Sequence, residues 1–340
     1  MGDVRLTVDG REVTAPEGTL LVDLVDVPTL CHDPRLEPYG GCRLCLVDVD
    51  GGPRPVPACA TRAREGMAVS TNGSTAELRE TLTEMLLTDH RPTGGGRPDE
   101  LLDLAGDLEP PFRFDPPAPY ADRNLLLGFD PAACVKCDRC VRYAQEVMQC
   151  GALALHGRGA EARVGPTYGV SWLDTECELC GGCLSACPTG AIYEQGAAGV
   201  DETALDKVRT TCPYCGVGCQ LDLNVDRDTG RIVKVTSNVD YLPNQGNLCV
   251  KGRFAFNFVH HPDRLTKPLV RGDDGELHET TWADAYERAS QGFQRVKRVY
   301  GPRSIGVVAS ARLTMEENFL TQKLARTAFG SNSVQSCEAT

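Results

Sequence analysis

The chain has 340 residues, with 35 Lys+Arg against 47 Asp+Glu, and its formal net charge of −12 disfavours nucleic acid as a partner. At 41% hydrophobic and 24% charged residues it is a folded chain of roughly two to four domains, which excludes disorder and collagen. Apolar runs such as Leu125-Leu126-Leu127 are far shorter than the roughly 18 residues that span a bilayer, and Met1 to Arg5 carries no leader pattern. The expectation is a cytoplasmic protein with no membrane span.

Val4 to Val8 alternates apolar and polar side chains and meets Asp9-Gly10, a hairpin turn signal that predicts a small β-rich domain. Cys45 to Val49 reads as another strand, ended by Asp50-Gly51-Gly52, and the domain is expected to close near Thr71. Ser74 with Glu77 predicts a capping box for a helix over about 75–88, with Leu78, Leu82, Met85 and Leu86 at helical spacing. Arg91 to Asn124 holds seven prolines and Gly94-Gly95-Gly96, a linker composition. Near the end, Ser304 to Ala309 reads as a buried strand of a parallel sheet, and Thr314 with Glu317 caps a helix that Gly330 ends.

Cysteine is the informative residue. In a reducing compartment, 17 of them point to metal binding rather than to disulfides. All but Cys337 fall into four groups of four. Cys31-x10-Cys42-x2-Cys45-x13-Cys59 suits the two irons of a 2Fe-2S cluster, with Gly40 and Gly41 letting the backbone wrap closely; a zinc ribbon is the alternative. Cys134-x2-Cys137-x2-Cys140 recurs 43 residues later as Cys177-x2-Cys180-x2-Cys183, followed by Cys187-Pro188. That is the bacterial ferredoxin run, in which the fourth cysteine ligates the other half's cluster. Cys134, Cys137, Cys140 and Cys187 are therefore expected to hold one 4Fe-4S centre. Cys177, Cys180 and Cys183 need a fourth ligand; position 144 is alanine, and Cys150 is the nearest thiol. Two structural zinc sites are the alternative here. Cys212-x2-Cys215-x3-Cys219-x29-Cys249 reads as a further 4Fe-4S site, with zinc again the alternative and Lys251 just beyond it. Gly157-x-Gly159-x-x-Ala162 lies between the two ferredoxin halves, outside any βαβ unit, and is not expected to bind a dinucleotide.

Taken together, Gly41-Cys42-Arg43-Leu44-Cys45, the ferredoxin repeat, Cys212-Pro-Tyr-Cys215-Gly-Val-Gly-Cys219 and Cys249-Val-Lys251-Gly252 resemble the alpha subunit of molybdenum- or tungsten-dependent formate dehydrogenases, a family related to the large iron-sulfur subunit of NADH-quinone oxidoreductase. The resemblance covers nearly the whole chain and also takes in Pro262 to Thr266 and Thr281 to Ala285. It implies an α+β multidomain fold: a β-grasp 2Fe-2S ferredoxin-like domain (1–73), a helix and linker with a degenerate region for one histidine and three cysteines (74–124), and a double 4Fe-4S ferredoxin domain (125–200). A molybdopterin oxidoreductase 4Fe-4S domain (205–267) and the truncated start of an α/β molybdopterin-binding domain (268–340) follow.

The resemblance further implies one 2Fe-2S and three 4Fe-4S clusters and, in the full-length protein, a Mo or W bis-molybdopterin guanine dinucleotide, with Lys251 between cluster and pterin. Formate would be oxidised to carbon dioxide there. Its electrons would leave past Lys251 through the Cys212, ferredoxin and Cys31 centres to a flavin/NAD-binding or other acceptor subunit. Two departures stand out. Relatives carry a His-x3-Cys-x2-Cys-x5-Cys centre, but no cysteine follows His90 before Cys134, so His90 is expected to be an exposed histidine at a helix C-terminus. The chain also reaches Thr340 without a catalytic residue: the metal-ligating cysteine or selenocysteine is expected immediately after Cys337-Glu338-Ala339-Thr340, which suggests a selenoprotein truncated at a UGA codon. The alternatives are a non-catalytic ferredoxin-like relay, serving a hydrogenase or a separate dehydrogenase, and an NADH-quinone oxidoreductase large-subunit-like protein. Lys251 favours the pterin-bearing family over the latter.

Overall fold

The computed structural model describes residues 2–92, 97–115, 122–169 and 171–337. Gly94-Gly95-Gly96, Pro116, Pro117, Pro119 and the expectations attached to residues 338–340 lie outside the described residues. Among those described, no helix is long and apolar enough to cross a membrane.

β1 (Asp3–Val8) and β2 (Arg11–Pro16) form the expected hairpin; Asp9 and Gly10 both take positive φ, which this tight turn demands. β3 (Leu46–Val49), β4 (Val56–Pro57) and β5 (Ala68–Ser70) complete a mixed five-stranded sheet in the order β2-β1-β5-β3-β4, with only β1 and β5 parallel. Val4 and Leu6 point inward from β1 and meet Leu21, Val47, Met67 and Val69. Cys45 and Cys59 are buried in that same core, so the sheet itself holds two of the thiols in place.

α1 (Ser74–Leu86) follows, but the capping box expected from Ser74 and Glu77 does not form. Gly73, at φ 73°, takes the cap position, so Ser74 is already helical. The buried side of the helix is also displaced from the expected one. Thr75, Thr83 and the following Leu87 are buried, Leu82 and Leu86 are half-buried, and Leu78 and Met85 face solvent. The proline-rich stretch is more than a linker. α2 (Glu100–Ala105) lies within it, capped by the Asp99 carboxylate, and Leu101 is fully buried against Leu30, Leu44, Leu87 and Val135. A six-residue helix between prolines gives too short a pattern to read.

His90 is not exposed. Its side chain is wholly buried, and Nε2 lies 2.8 Å from Asp99 Oδ2. The α1 helix ends at Leu86, so His90 sits past it on an inward-turning segment. A buried carboxylate that already caps α2 offers it a partner no C-terminal dipole could match.

Two antiparallel pairs frame the middle of the chain: β6 (Leu127–Phe129) with β9 (Ile192–Glu194), and β7 (Leu153–His156) with β8 (Arg163–Pro166). Gly157 to Ala162 is the β7–β8 connection, so it opens no phosphate-binding helix. Short helices α3 (Arg139–Arg142) and α4 (Gly182–Ala186) each begin inside a cysteine run. Next, β10 (Leu205–Thr211), β11 (Gln220–Asp226) and β12 (Ile232–Thr236) make an antiparallel sheet, followed by α5 (Val250–Phe254). Phe254 of α5 is buried in the core of the β6–β9 region, so these two parts share a seam.

The last part comprises the hairpin β13 (Leu269–Arg271) and β14 (Leu277–Glu279), then α6 (Trp282–Tyr300), β15 (Val307–Ser310), α7 (Met315–Leu324) and β16 (Val334–Cys337). β15 and β16 pair in parallel around α7, whose capping box of Thr314 and Glu317 forms as expected, and Gly330 ends the helical segment in the left-handed region. This strand starts at Val307, later than expected from the run at Ser304; Ala309 in it is buried, as is Ile305 just before it, but Val308 is exposed and α6 has no buried residue.

Candidate iron-sulfur sites

Cys31, Cys45 and Cys59 are fully buried and Cys42 is half-buried. The Cys42 N–H donates to Cys31 Sγ at 3.4 Å, and thiol-to-thiol hydrogen bonds link Cys42 to Cys31 and Cys59 to both Cys45 and Cys31. The contact with Cys31, reinforced by burial, pushes the Cys42 thiol far above its usual range. Gly40, at φ 68°, packs on Pro57, and a Cβ on Gly41 would fall 2.3 Å from the Tyr39 ring. The two glycines therefore let the loop close on the thiols, as read from the sequence.

The two ferredoxin runs share a backbone signature. Lys136 and Asp138 in the first, and Leu179 and Gly181 in the second, all adopt positive φ at matching positions. Three of the four carry side chains, and such residues rarely adopt this conformation unless the surroundings require it. It aims peptide N–H groups at the sulfurs: Leu179 N–H donates to Cys177 and Gly182 N–H to Cys180, both at 3.4 Å. Lys136 and Arg139 do the same for Cys134 and Cys137. Cys134, Cys137, Cys140 and Cys187 line one cavity, floored by Phe129, Val164 and Ile192. Cys150, Cys177, Cys180 and Cys183 line a second, with Tyr143, Leu153 and Trp172. The structure thus brings Cys150 to the other three thiols, through the turn that follows α3.

Burial raises the thiol pKa values of Cys134, Cys137 and Cys140 in the first cavity, that of Cys134 up to about 12, and those of Cys177, Cys180 and Cys183 in the second. Neighbouring thiolates raise them more. Four buried thiolates repel one another and cannot ionise without cationic charge between them, while the N–H donors are placed for sulfurs that do carry negative charge. This donor set fits an iron-sulfur cluster. Among the described residues no three His, Cys, Asp or Glu side chains are gathered closely enough for a single metal ion.

In the fourth group, the Cys212 N–H donates to the Cys219 carbonyl at 2.8 Å, closing the ends of β10 and β11. Cys249 caps the N-terminus of α5. Cys215 and Cys249 are exposed, unlike the enclosed ferredoxin thiols. Lys251 is exposed and lines a cavity with Pro213, Tyr214, Gly252 and Phe258 beside this group.

Bridging residues that the sequence reading missed join these groups. Cys42 and Cys137 flank the same apolar cluster of Leu44, Leu101 and Val135. Buried Arg142, two residues after Cys140, donates to the Cys31 and Glu37 carbonyls, and its guanidinium lies over the Tyr39 ring. Cys140 is close enough to Cys183 to feel its charge. Tyr143 donates to Asn247 at 2.7 Å, just before Cys249. The four thiol groups therefore follow one another in space in the order of the chain.

Residues 2–74 match the 2Fe-2S iron-sulfur cluster binding domain, and 127–193 match the NADH-quinone oxidoreductase subunit 3 ferredoxin-like domain. Residues 205–261 match the molybdopterin oxidoreductase Fe4S4 domain, and 264–339 match molybdopterin oxidoreductase itself. These are iron-sulfur and molybdopterin oxidoreductase domains. The chain is 31% identical, over 98% of its length, to the NADPH-Fe(3+) oxidoreductase subunit alpha of Geobacter sulfurreducens. It is 32% identical over 97% to an NADH-quinone oxidoreductase subunit of Rhizobium meliloti, and 29% identical over 98% to a Staphylococcus haemolyticus protein named "Putative formate dehydrogenase". It spans about 40% of the length of each of these relatives. A solved chain of an NAD+-reducing [NiFe]-hydrogenase in the H2-reduced state aligns with 58% of this chain and 89% of its own length, at a TM-score of 0.51 and 28% identity.

Proposed function

We propose that this chain is the iron-sulfur electron-transfer portion of a formate dehydrogenase alpha subunit, with Cys31, Cys42, Cys45 and Cys59 holding a 2Fe-2S cluster and the other three groups, Cys150 included, each holding a 4Fe-4S cluster. The observation that carries this reading is the succession of thiol groups, each joined to the next through buried contacts, beginning beside Lys251 and ending in the N-terminal sheet. Bound clusters supply one-electron acceptance and release. The protein's own part is to keep water out with Leu101, Val135, Trp172 and Phe254, and to aim N–H donors at the sulfurs. On this reading Lys251 would meet a Mo or W bis-pterin, and a flavin/NAD-binding or other acceptor subunit would receive the electrons near the Cys31 group. The formate reading rests on Lys251 and on the name of the staphylococcal relative.

A second reading, an electron relay without a pterin, is favoured by the alignment with the hydrogenase chain. The test is anaerobic purification of the native complex, with analysis of iron, sulfide, Mo and W, followed by formate addition under electron paramagnetic resonance. About 14 irons per chain, one 2Fe-2S and three 4Fe-4S signals, and reduction of these centres by formate are expected. Stoichiometric zinc would refute the cluster assignment. A complex carrying all four centres but neither Mo nor W, and inert to formate, would refute the formate reading and leave the relay.

A further inference from the structure

Arg253 is the largest wholly buried side chain among the described residues, 1% exposed, and its Nη2 has no hydrogen-bond partner there. Its place is unusual. Its backbone N–H donates to the carbonyl of Cys249 at 3.0 Å, and its side-chain Nε donates to the carbonyl of Cys180 at 2.9 Å. One residue thus joins cysteines from two different thiol groups. The opposite loop is shaped to admit it: a Cβ on Gly181 would fall 2.3 Å from Arg253 Cδ and 2.6 Å from Nε, so only glycine fits beside Cys180. Next to it, Gly182 makes the same allowance for the ring of Tyr143. No carboxylate forms an ion pair with Arg253 among the described residues; its nearest negative groups would be the Cys180 and Cys183 thiolates and the ionised Tyr143 and Glu194.

A guanidinium does not give up its proton inside a protein, so this charge is buried for as long as the chain is folded. Burying it with an unpartnered N–H is expensive, and the thiolates of a bound cluster are the negative charge that would offset the cost. We propose that Arg253 is a positioning residue that sets the reduction potential of the Cys150/Cys177/Cys180/Cys183 centre while fixing its seam with the Cys212–Cys249 group. An electron that leaves the Cys212–Cys249 group oxidises it by one and reduces the Cys150–Cys183 group by one. The fixed positive charge favours that added negative charge and so draws the electron across the seam.

The inference rests on the cluster assignment above, and one experiment separates the two. Arg253→Gln, Arg253→Met and Arg253→Lys are made in the full chain, the irons are counted, and each centre is titrated potentiometrically with paramagnetic resonance detection. Absence of the Cys150–Cys183 signal from the unaltered protein would sink the cluster assignment itself. With the centre present, Gln and Met are expected to lower its midpoint while leaving the 2Fe-2S midpoint unmoved, and Lys, which keeps the charge, should stay near the unaltered value. Met is included because its apolar stem suits the buried slot if Gln does not fold. An unchanged midpoint in Gln or Met, or a shift in Lys as large as theirs, would overturn the proposal. So would loss of that centre from both while Lys retains it at an unchanged potential, since the role would then be structural.

Discussion

Glu194, at the end of β9, gives a quantitative test of the seam. Its Oε2 is buried without a hydrogen-bond partner among the described residues. Burial pushes its pKa from 4.5 up to about 7, although Arg253 and Lys234 pull it down. The charged groups sharing its cavity are Arg253 on α5, Lys234 on β12 with Glu202 paired to it, Glu100 at the start of α2, and Arg97 just before that helix. Because the folded pKa lies above the unfolded one, the folded chain retains a proton that the unfolded chain releases. The stability this confers is complete below pH 4.5 and is lost as pH rises to 7. The whole loss is about 3 kcal/mol, of which about 2 kcal/mol falls between pH 5.5 and 8. Glu194→Gln removes the ionisation, so its stability relative to the unaltered protein should rise by about 2 kcal/mol over that interval. Anaerobic urea unfolding of both proteins at the two pH values, followed by fluorescence and circular dichroism, reads the difference. A constant offset between them, or a variant that loses ground as pH rises, would refute the reasoning.

Cys150→Ser should remove or convert one 4Fe-4S centre, lowering iron from about 14 per chain by one to four atoms; unchanged iron and spectra would return Cys150 to a structural role. Leu101→Ala should cost about 2–5 kcal/mol by opening a cavity between α1, α2 and the Cys42 and Cys137 loops, a loss that thermal unfolding would detect and a true linker would not show. His90→Ala leaves a buried Asp99 carboxylate short of a partner, and denaturant unfolding should show a loss of about 1–3 kcal/mol. Lys251→Met should leave all four cluster signals intact while slowing formate-dependent reduction of the Cys212 group in the native complex, as measured by stopped-flow absorbance; an unaltered rate would argue against a role between pterin and cluster.

What could be read directly from the sequence was local. Asp9-Gly10 and the Thr314–Glu317 box each act within four residues, and the cysteine runs carry their own spacing. Cys150 emerged because a repeat lacked one member and a spare thiol lay nearby. The bridging residues were hidden for the opposite reason: Arg142 meets Cys31 across 111 residues of chain and Arg253 meets Cys180 across 73. His90 was misread because Asp99, its partner, lies beyond a Gly- and Pro-rich stretch whose composition suggested no packing at all. Ser74 failed as a cap because Gly73, at φ 73°, takes the cap position and leaves Ser74 inside the helix.

The two bridging arginines also bear on assembly. Arg142 lies two residues beyond Cys140 and Arg253 four beyond Cys249, and each grips the peptide of a cysteine in the preceding thiol group. Neither grip can form until both cysteine loops have taken their final shape. Shaping of the cysteine loops and docking of neighbouring segments are therefore a single event, in which a loop that stays unformed leaves its neighbour undocked.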